Sequence, residues 1–222
     1  MKIKDIKIVL GGDLGQTTKM PGASFGLLTD ACPTGAALQN VKGSVCEKCY
    51  AARLEKIRPN VRKGHATRTD AVKRATRSAE GMHDWITAMT DLIDHRYKDK
   101  ASHECYFRWH DSGDLQDYNH LQMIVEVAKQ TPKIFHWLPT KEKKLVKKFL
   151  SRHGNFPDNL IVRVSSAMID APPLRNVLHT STVHYMKDAH GHVCPAYLQG
   201  GECGECRACW SKEVANVSYK KH

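Results

Sequence analysis

The chain predicts an α/β fold: an open, partial (β/α) barrel of about five or six mostly parallel strands, over residues 1–189, with a cysteine-rich C-terminal extension over 190–222. Three observations predict it. Short apolar runs alternate with helix-patterned segments from about residue 104 onward, and crossovers through helices favour parallel pairing. The runs are close to continuously apolar, as in Leu160-Ile161-Val162-Arg163-Val164, which suits strands covered by helices. The units are too few for a complete eight-stranded barrel of about 250 residues.

Taken in order, Ile6 to Leu10 reads as a first strand, Gly11-Gly12 as a turn, and Ala23 to Thr29 as a second strand entering a cysteine loop. From Glu47 the pattern turns helical until Pro59 interrupts it. Val61 to Arg77 carries Arg62, Lys63, His65, Arg68, Lys73, Arg74 and Arg77, a basic helix face. Ser78 is placed to cap a helix from Ala79 to about Tyr97, in which Met82, Trp85, Met89 and Leu92 recur at three- and four-residue spacing. A strand from Glu104 to Trp109 follows, then a helix from Asp117 to about Gln130. The alternation continues with strand Ile134 to Leu138, helix Glu142 to about Arg152 and strand Leu160 to Val164. It ends with a short helix around Pro172 to Leu178 and strand Thr182 to Met186. The extension reads as having little capacity to form a core.

The 222 residues are 41% hydrophobic, enough for one sizeable core. No apolar run approaches the ~18 residues of a membrane helix, and the charged start, Met1-Lys2-Ile3-Lys4-Asp5, has no signal-peptide core. The expectation is a soluble cytoplasmic protein with no membrane partner. Eight cysteines in a reducing compartment point to metal ligation rather than disulfides. The formal charge of +11 suggests a nucleic acid partner for the basic helix, although metal-bound thiolates would offset part of it.

Cys46 and Cys49 form a C-x2-C pair, and Cys32 lies upstream with 13 residues between it and Cys46. Three thiolates leave either a fourth ligand to come from elsewhere, a tail cysteine included, or a coordination position open for chemistry. Cys194, Cys203, Cys206 and Cys209 make a set complete in itself. Successive two-residue gaps favour an iron–sulfur cluster over zinc, while one zinc site built from Cys46, Cys49, Cys206 and Cys209 is the alternative. Cys105, within a strand, reads as a buried small hydrophobe, and Trp109 and Trp137 as core residues.

Parallel β/α folds gather their chemistry at the carboxyl ends of the strands. The cysteine loop, His110 to Asp114, Thr140-Lys141, Ser165-Ser166 and Lys187-Asp188 fall there. His110 and Asp111 are candidate catalytic residues, with loop capping as the plainer role. Lys141 reads otherwise as a solvated helix start.

With Cys46-Glu-Lys-Cys49-Tyr-Ala, the tips His110-Asp-Ser-Gly-Asp114 and Pro139-Thr-Lys-Glu142, and the ending Cys194-Pro-Ala with Cys203-Gly-Glu-Cys206-Arg-Ala-Cys209-Trp210, the chain resembles a phage protein family called gene product eighty-eight. That family looks like a shortened relative of radical S-adenosylmethionine (SAM) enzymes. The resemblance implies a [4Fe-4S] cluster on Cys32, Cys46 and Cys49, with a fourth iron open to SAM, and a flavodoxin or ferredoxin as electron donor. The reduced cluster would cleave SAM, and the resulting 5′-deoxyadenosyl radical would abstract hydrogen from a substrate that the sequence does not name. Ser112, Gly113 and Asp114 would stand at the methionine amino group, and Thr140, Lys141 and Ser165 at ribose or carboxylate. The C-terminal cysteines would bind an auxiliary cluster or zinc. The loop departs from the superfamily in its long first spacing and in Lys48, where an aromatic residue is usual. Two other readings stand beside it: an electron-transfer or redox protein that does not use SAM, and a zinc-stabilised nucleic-acid-binding module.

Overall fold

A computed structural model describes residues 1–221. The first element, α1 (Ile3–Leu10), is a helix and not the expected strand. Ile3, Ile6 and Leu10 fall at three- and four-residue spacing, so Ile6 and Leu10 are both fully buried on one face, and this period outweighs the β-preference of the Ile-Val run. Gly11 ends it at φ 74°, and a Cβ there would meet the Thr67 carbonyl oxygen at 2.3 Å.

Strands β1 (Gly15–Gln16) and β2 (Ala23–Phe25) lead into two helices, α2 (Pro33–Leu38) and α3 (Tyr50–Ile57). The basic stretch is one helix, α4 (Pro59–Ala75), which buries His65, Thr69, Ala71, Val72 and Ala75. Then come α5 (Ala79–Tyr97), β3 (Tyr106–Trp109), α6 (Tyr118–Gln130), β4 (Phe135–Thr140), α7 (Lys143–His153), β5 (Leu160–Ser165) and β6 (Thr180–His184). The predicted Ser78 cap is made, its Oγ accepting from Gly81 N at 3.0 Å, and α6 is capped by Asp117, whose Oδ1 accepts from His120 N at 2.7 Å. The stretch around Pro172 to Leu178 is irregular and not helical, because Pro172-Pro173 deprive it of two helix donors. Two strands from the tail, β7 (His192–Val193) and β8 (Asn216–Lys220), complete the list.

All eight strands form one open sheet in the order β1-β2-β3-β4-β5-β6-β8-β7. β1 pairs antiparallel and the remaining pairs are parallel. The five or six strands expected become eight because β1 and β7, at two residues each, are too short to carry a period-two signal, and because β8 lies in the tail.

The sheet buries both faces. On one, Phe25, Phe107, Trp109, Leu138, Leu160, Val162 and Val164 join the core residues of the helices, with Trp85 of α5 edge-on to Phe25 at 5.8 Å. On the other, Trp137 and Val217 pack with Ala208, Cys209 and Trp210 from the tail, and Trp210 Nε1 donates to the Phe107 carbonyl at 3.0 Å. The tail therefore has core-forming capacity after all: it supplies a strand and roofs the second face. A strand order without reversal sends every helical crossover to the same face, which leaves the other for the tail.

Three histidines lie inside this core. Burial holds His136 down to about 3 and His120 to about 4, and His110 well below the usual range, so all three are neutral at pH 7.

Candidate metal centres

Each of two loop thiols stands where a helix begins. Cys32 is the residue before α2 and Cys49 the residue before α3, and neither side chain makes a cap hydrogen bond with its helix. Cys46 is delivered by a loop clamped on the exit of β5, where Val45 N donates to the Ala167 carbonyl at 2.9 Å and Ile169 N to the Gly43 carbonyl at 3.0 Å. Between the thiols sits Gly35. A Cβ at that position would come within 3.6 Å of Cys32 Sγ and 3.7 Å of Cys46 Sγ, so its bare Cα leaves a cradle facing two of the three sulfurs.

The electrostatics of this loop suit a bound cation or cluster. Burial, then the negative charges of Asp114, Cys49 and Cys46, raises the Cys32 thiol far above its ordinary range. Burial also raises Cys46, against the opposing pull of Lys141. The three sulfurs thus sense one another, and ionising them together needs positive charge in their midst, which a metal supplies. Cys32, Cys46 and Cys49 fit a metal–thiolate group on this ground.

The strand tips converge as expected, but they are bonded to one another. Asp114 is buried, and its carboxylate accepts from Thr140 Oγ1 at 2.6 Å, Leu115 N at 2.7 Å and Lys141 N at 2.8 Å. Burial nevertheless raises it to about 6. Ser112 Oγ donates to Glu55 at 3.2 Å, Lys141 Nζ to the Ser166 carbonyl at 3.3 Å, and Ser165 Oγ shares a hydrogen bond with Ser181 Oγ at 2.8 Å. Gly113, at φ 78°, lies against Leu27, where a Cβ would clash with the backbone at 2.9 Å.

His110 and Asp111 part company. The His110 ring is turned into the core, 5.3 Å from the ring of His120, with neither nitrogen hydrogen-bonded. Asp111 instead faces Gly26, and a Cβ on that glycine would meet Asp111 Oδ1 at 2.5 Å and His65 Nε2 at 3.1 Å.

The tail thiols gather separately. Cys194 senses Cys206, Cys203 senses both, and Cys209 senses Cys194. Cys206 Sγ lies 3.4 Å from His192 Nε2, and Cys209 Sγ lies 3.2 Å from the Tyr219 hydroxyl. Cys46 lies by Lys141 and Asp114, whereas Cys206 lies by His192 and Cys209 by Tyr219. Among the described residues no group of three or more His, Cys, Asp or Glu side chains is set to hold a single metal ion.

A family model described as Gene product 88 matches residues 7–212. The chain belongs to the gene product 88 family. The phage family to which its cysteine motifs pointed is thereby borne out. Comparison with curated proteins and with solved structures gives no match. No helix among the described residues of this gene product 88 chain is long and apolar enough to cross a membrane. Cys105 is a core residue, 2% exposed.

Sequence reasoning missed one polar centre of the gene product 88 chain altogether. Glu55 of α3 has a fully buried carboxylate. It accepts from Thr29 Oγ1, from Thr29 N at 3.2 Å, from Ser112 Oγ at 3.2 Å and from His65 Nδ1 at 2.7 Å. The network thereby ties the turn before Cys32, the helix after Cys49, α4 and the tip of β3 into one unit. Glu142 adds a further tie, since its Oε1 accepts from Thr34 N at the start of α2 at 2.9 Å. The only signal in the sequence was a glutamate and a histidine among helical residues, and their meeting depends on tertiary structure.

Proposed function

We propose that this chain is an iron–sulfur protein with a radical-SAM-like partial barrel. In it Cys32, Cys46 and Cys49 hold a [4Fe-4S] cluster at the carboxyl ends of the strands, and Cys194, Cys203, Cys206 and Cys209 hold a second metal–thiolate group. One observation carries the reading: seven of the eight cysteines collect in two thiol sets while the eighth is buried in the core. Ligands of a cluster bind different irons and need not converge on one point, as those of a single ion must. The unreversed strand order supports the partial barrel.

When bound, such a cluster supplies single electrons at low potential. The chain's own part is to seat it and shape its surroundings. The Lys141 ammonium favours thiolate charge at Cys46. Gly35 keeps space beside the sulfurs. Glu55 and Glu142 fix the loop's two ends.

Whether SAM is used divides this reading. Its candidate contacts, Ser112, Asp114, Thr140, Lys141 and Ser165, would have to exchange hydrogen bonds they already make within the protein. That observation favours the second reading, electron transfer without SAM. Dithionite reduction of anaerobic protein with SAM, followed by chromatography, tests the first. Radical chemistry predicts 5′-deoxyadenosine and loss of SAM; a reduced cluster beside intact SAM would overturn it and leave electron transfer.

A further inference from the structure

Arg163 is the largest charged side chain wholly inside the molecule, at 0% exposed. It stands in β5 between Val162 and Val164, both of which join the helix-side core, and so projects toward the tail. All its hydrogen-bond acceptors are backbone carbonyls: Ala208 and Ser211 at 2.8 Å, Cys209 at 3.0 Å and Thr180 at 3.4 Å. No carboxylate among the described residues pairs with it. A buried guanidinium cannot shed its proton, and an unpaired buried charge is among the costliest features a fold can hold.

A second cation faces the same thiols. The Arg108 guanidinium stacks over Trp137 at 4.6 Å, and one of its nitrogens lies 3.0 Å from Met20 Sδ, while its Nε is buried without a partner. The nearby groups that can become negative are Cys209 and the Tyr219 hydroxyl that touches it. Cys209 Sγ lies 3.2 Å from the Tyr219 hydroxyl, and the Cys209 carbonyl already accepts from Arg163 Nε at 3.0 Å; a bound metal is what turns such a thiol into a thiolate.

We propose that Arg163 is the charge partner of an anionic metal–thiolate group on Cys194, Cys203, Cys206 and Cys209, and that the Tyr219 hydroxyl donates a hydrogen bond to its Cys209 sulfur. The inference rests on the two-set reading above and adds positioning residues that neither the motifs nor the family match supplies. Four thiolates carry more negative charge than a zinc ion or a four-iron cluster neutralises, so either leaves the group anionic. Cys209, the buried thiol of the set, carries part of that residual charge, and its backbone carbonyl is already held by Arg163.

The test uses the full chain carrying Cys46→Ala and Cys49→Ala, so that only the tail set can hold metal. Iron, sulfide and zinc are measured in that background and in the same background with Arg163→Met, Arg163→Lys or Tyr219→Phe. Iron with sulfide identifies a cluster, and zinc alone a zinc site. Arg163→Met is expected to lower retained metal at least tenfold. Arg163→Lys, which keeps the charge but loses the planar fork onto the three tail carbonyls, should restore most of it. Tyr219→Phe should keep the metal content and release it faster to a chelator, with a lower reduction potential if the group is a cluster.

If Lys fails as completely as Met, Arg163 is only a backbone clamp, and the charge argument is overturned while the tail metal stands. Unchanged metal in Arg163→Met overturns it too. A tail set that holds neither iron nor zinc in the background chain overturns both this inference and the second metal site.

Discussion

Replacing Cys46 and Cys49 together with alanine is expected to remove the proposed loop cluster, about four iron and four sulfide per chain, with the visible absorption they produce. Both thiols are half-buried loop groups, and neither belongs to the two hydrophobic cores, so the fold should survive with its far-ultraviolet circular dichroism unchanged. Cys32 cannot hold a cluster alone, because a single thiolate leaves most of the irons without protein ligands. Whatever metal the tail set holds should remain, because its thiols have their own neighbours in His192, Tyr219 and Arg163. Undiminished iron and sulfide in the folded double variant would remove the loop from the account.

The second large effect is expected at Glu55. Glu55→Ala leaves His65 Nδ1, Thr29 N, Thr29 Oγ1 and Ser112 Oγ without their common acceptor, all in a place that water does not reach. Removing one partner from a buried charged network costs about 3–5 kcal/mol. For a chain of this size that corresponds to a fall in melting temperature of roughly 6–20 °C. Metal loading of the loop should fall with it, because the network spans the turn before Cys32 and the helix after Cys49. Glu55→Gln keeps one acceptor oxygen but presents an NH2 group to neighbouring donors, and should lie between alanine and the parent. An alanine variant that melts within 2 °C of the parent would show that the network contributes little.

Much of this fold was legible because local signals agreed with tertiary ones. The helix from Ala79 to Tyr97 appears with its Ser78 cap where capping chemistry and period place it, and the helix after Asp117 appears where the apolar period places it. The apolar strands β3, β4 and β5 are buried enough that composition alone marks them. The start was not legible, because Ile-Val-Leu residues with interspersed lysines satisfy a strand's propensity and a helix's period at once. Burial of Ile6 and Leu10 together decided for the helix. The tail reads as coreless in the sequence because its apolar residues, Trp210 and Val217, are few and find their partners in strands some 70 residues or more away, Trp137 and Phe107.

The candidate site divides in the same way. Cysteine spacing is a local signal, and both sets were visible in it. Asp114 and Thr140 were visible as strand tips, but their commitment to one another was not, since a hydrogen bond between them depends on neighbouring strands being in register. Arg163 read as one residue of an apolar strand. Its meaning appears only when Ala208, Cys209 and Ser211 arrive from 45 residues or more further along the chain.

The iron, sulfide and zinc content of anaerobically purified full chain, with electron paramagnetic resonance after dithionite reduction, tests the central claim most directly. The account predicts iron and acid-labile sulfide in equal amounts, about four of each for every cluster, and a low-temperature signal that appears on reduction. Zinc without iron or sulfide, and no signal on reduction, would contradict it.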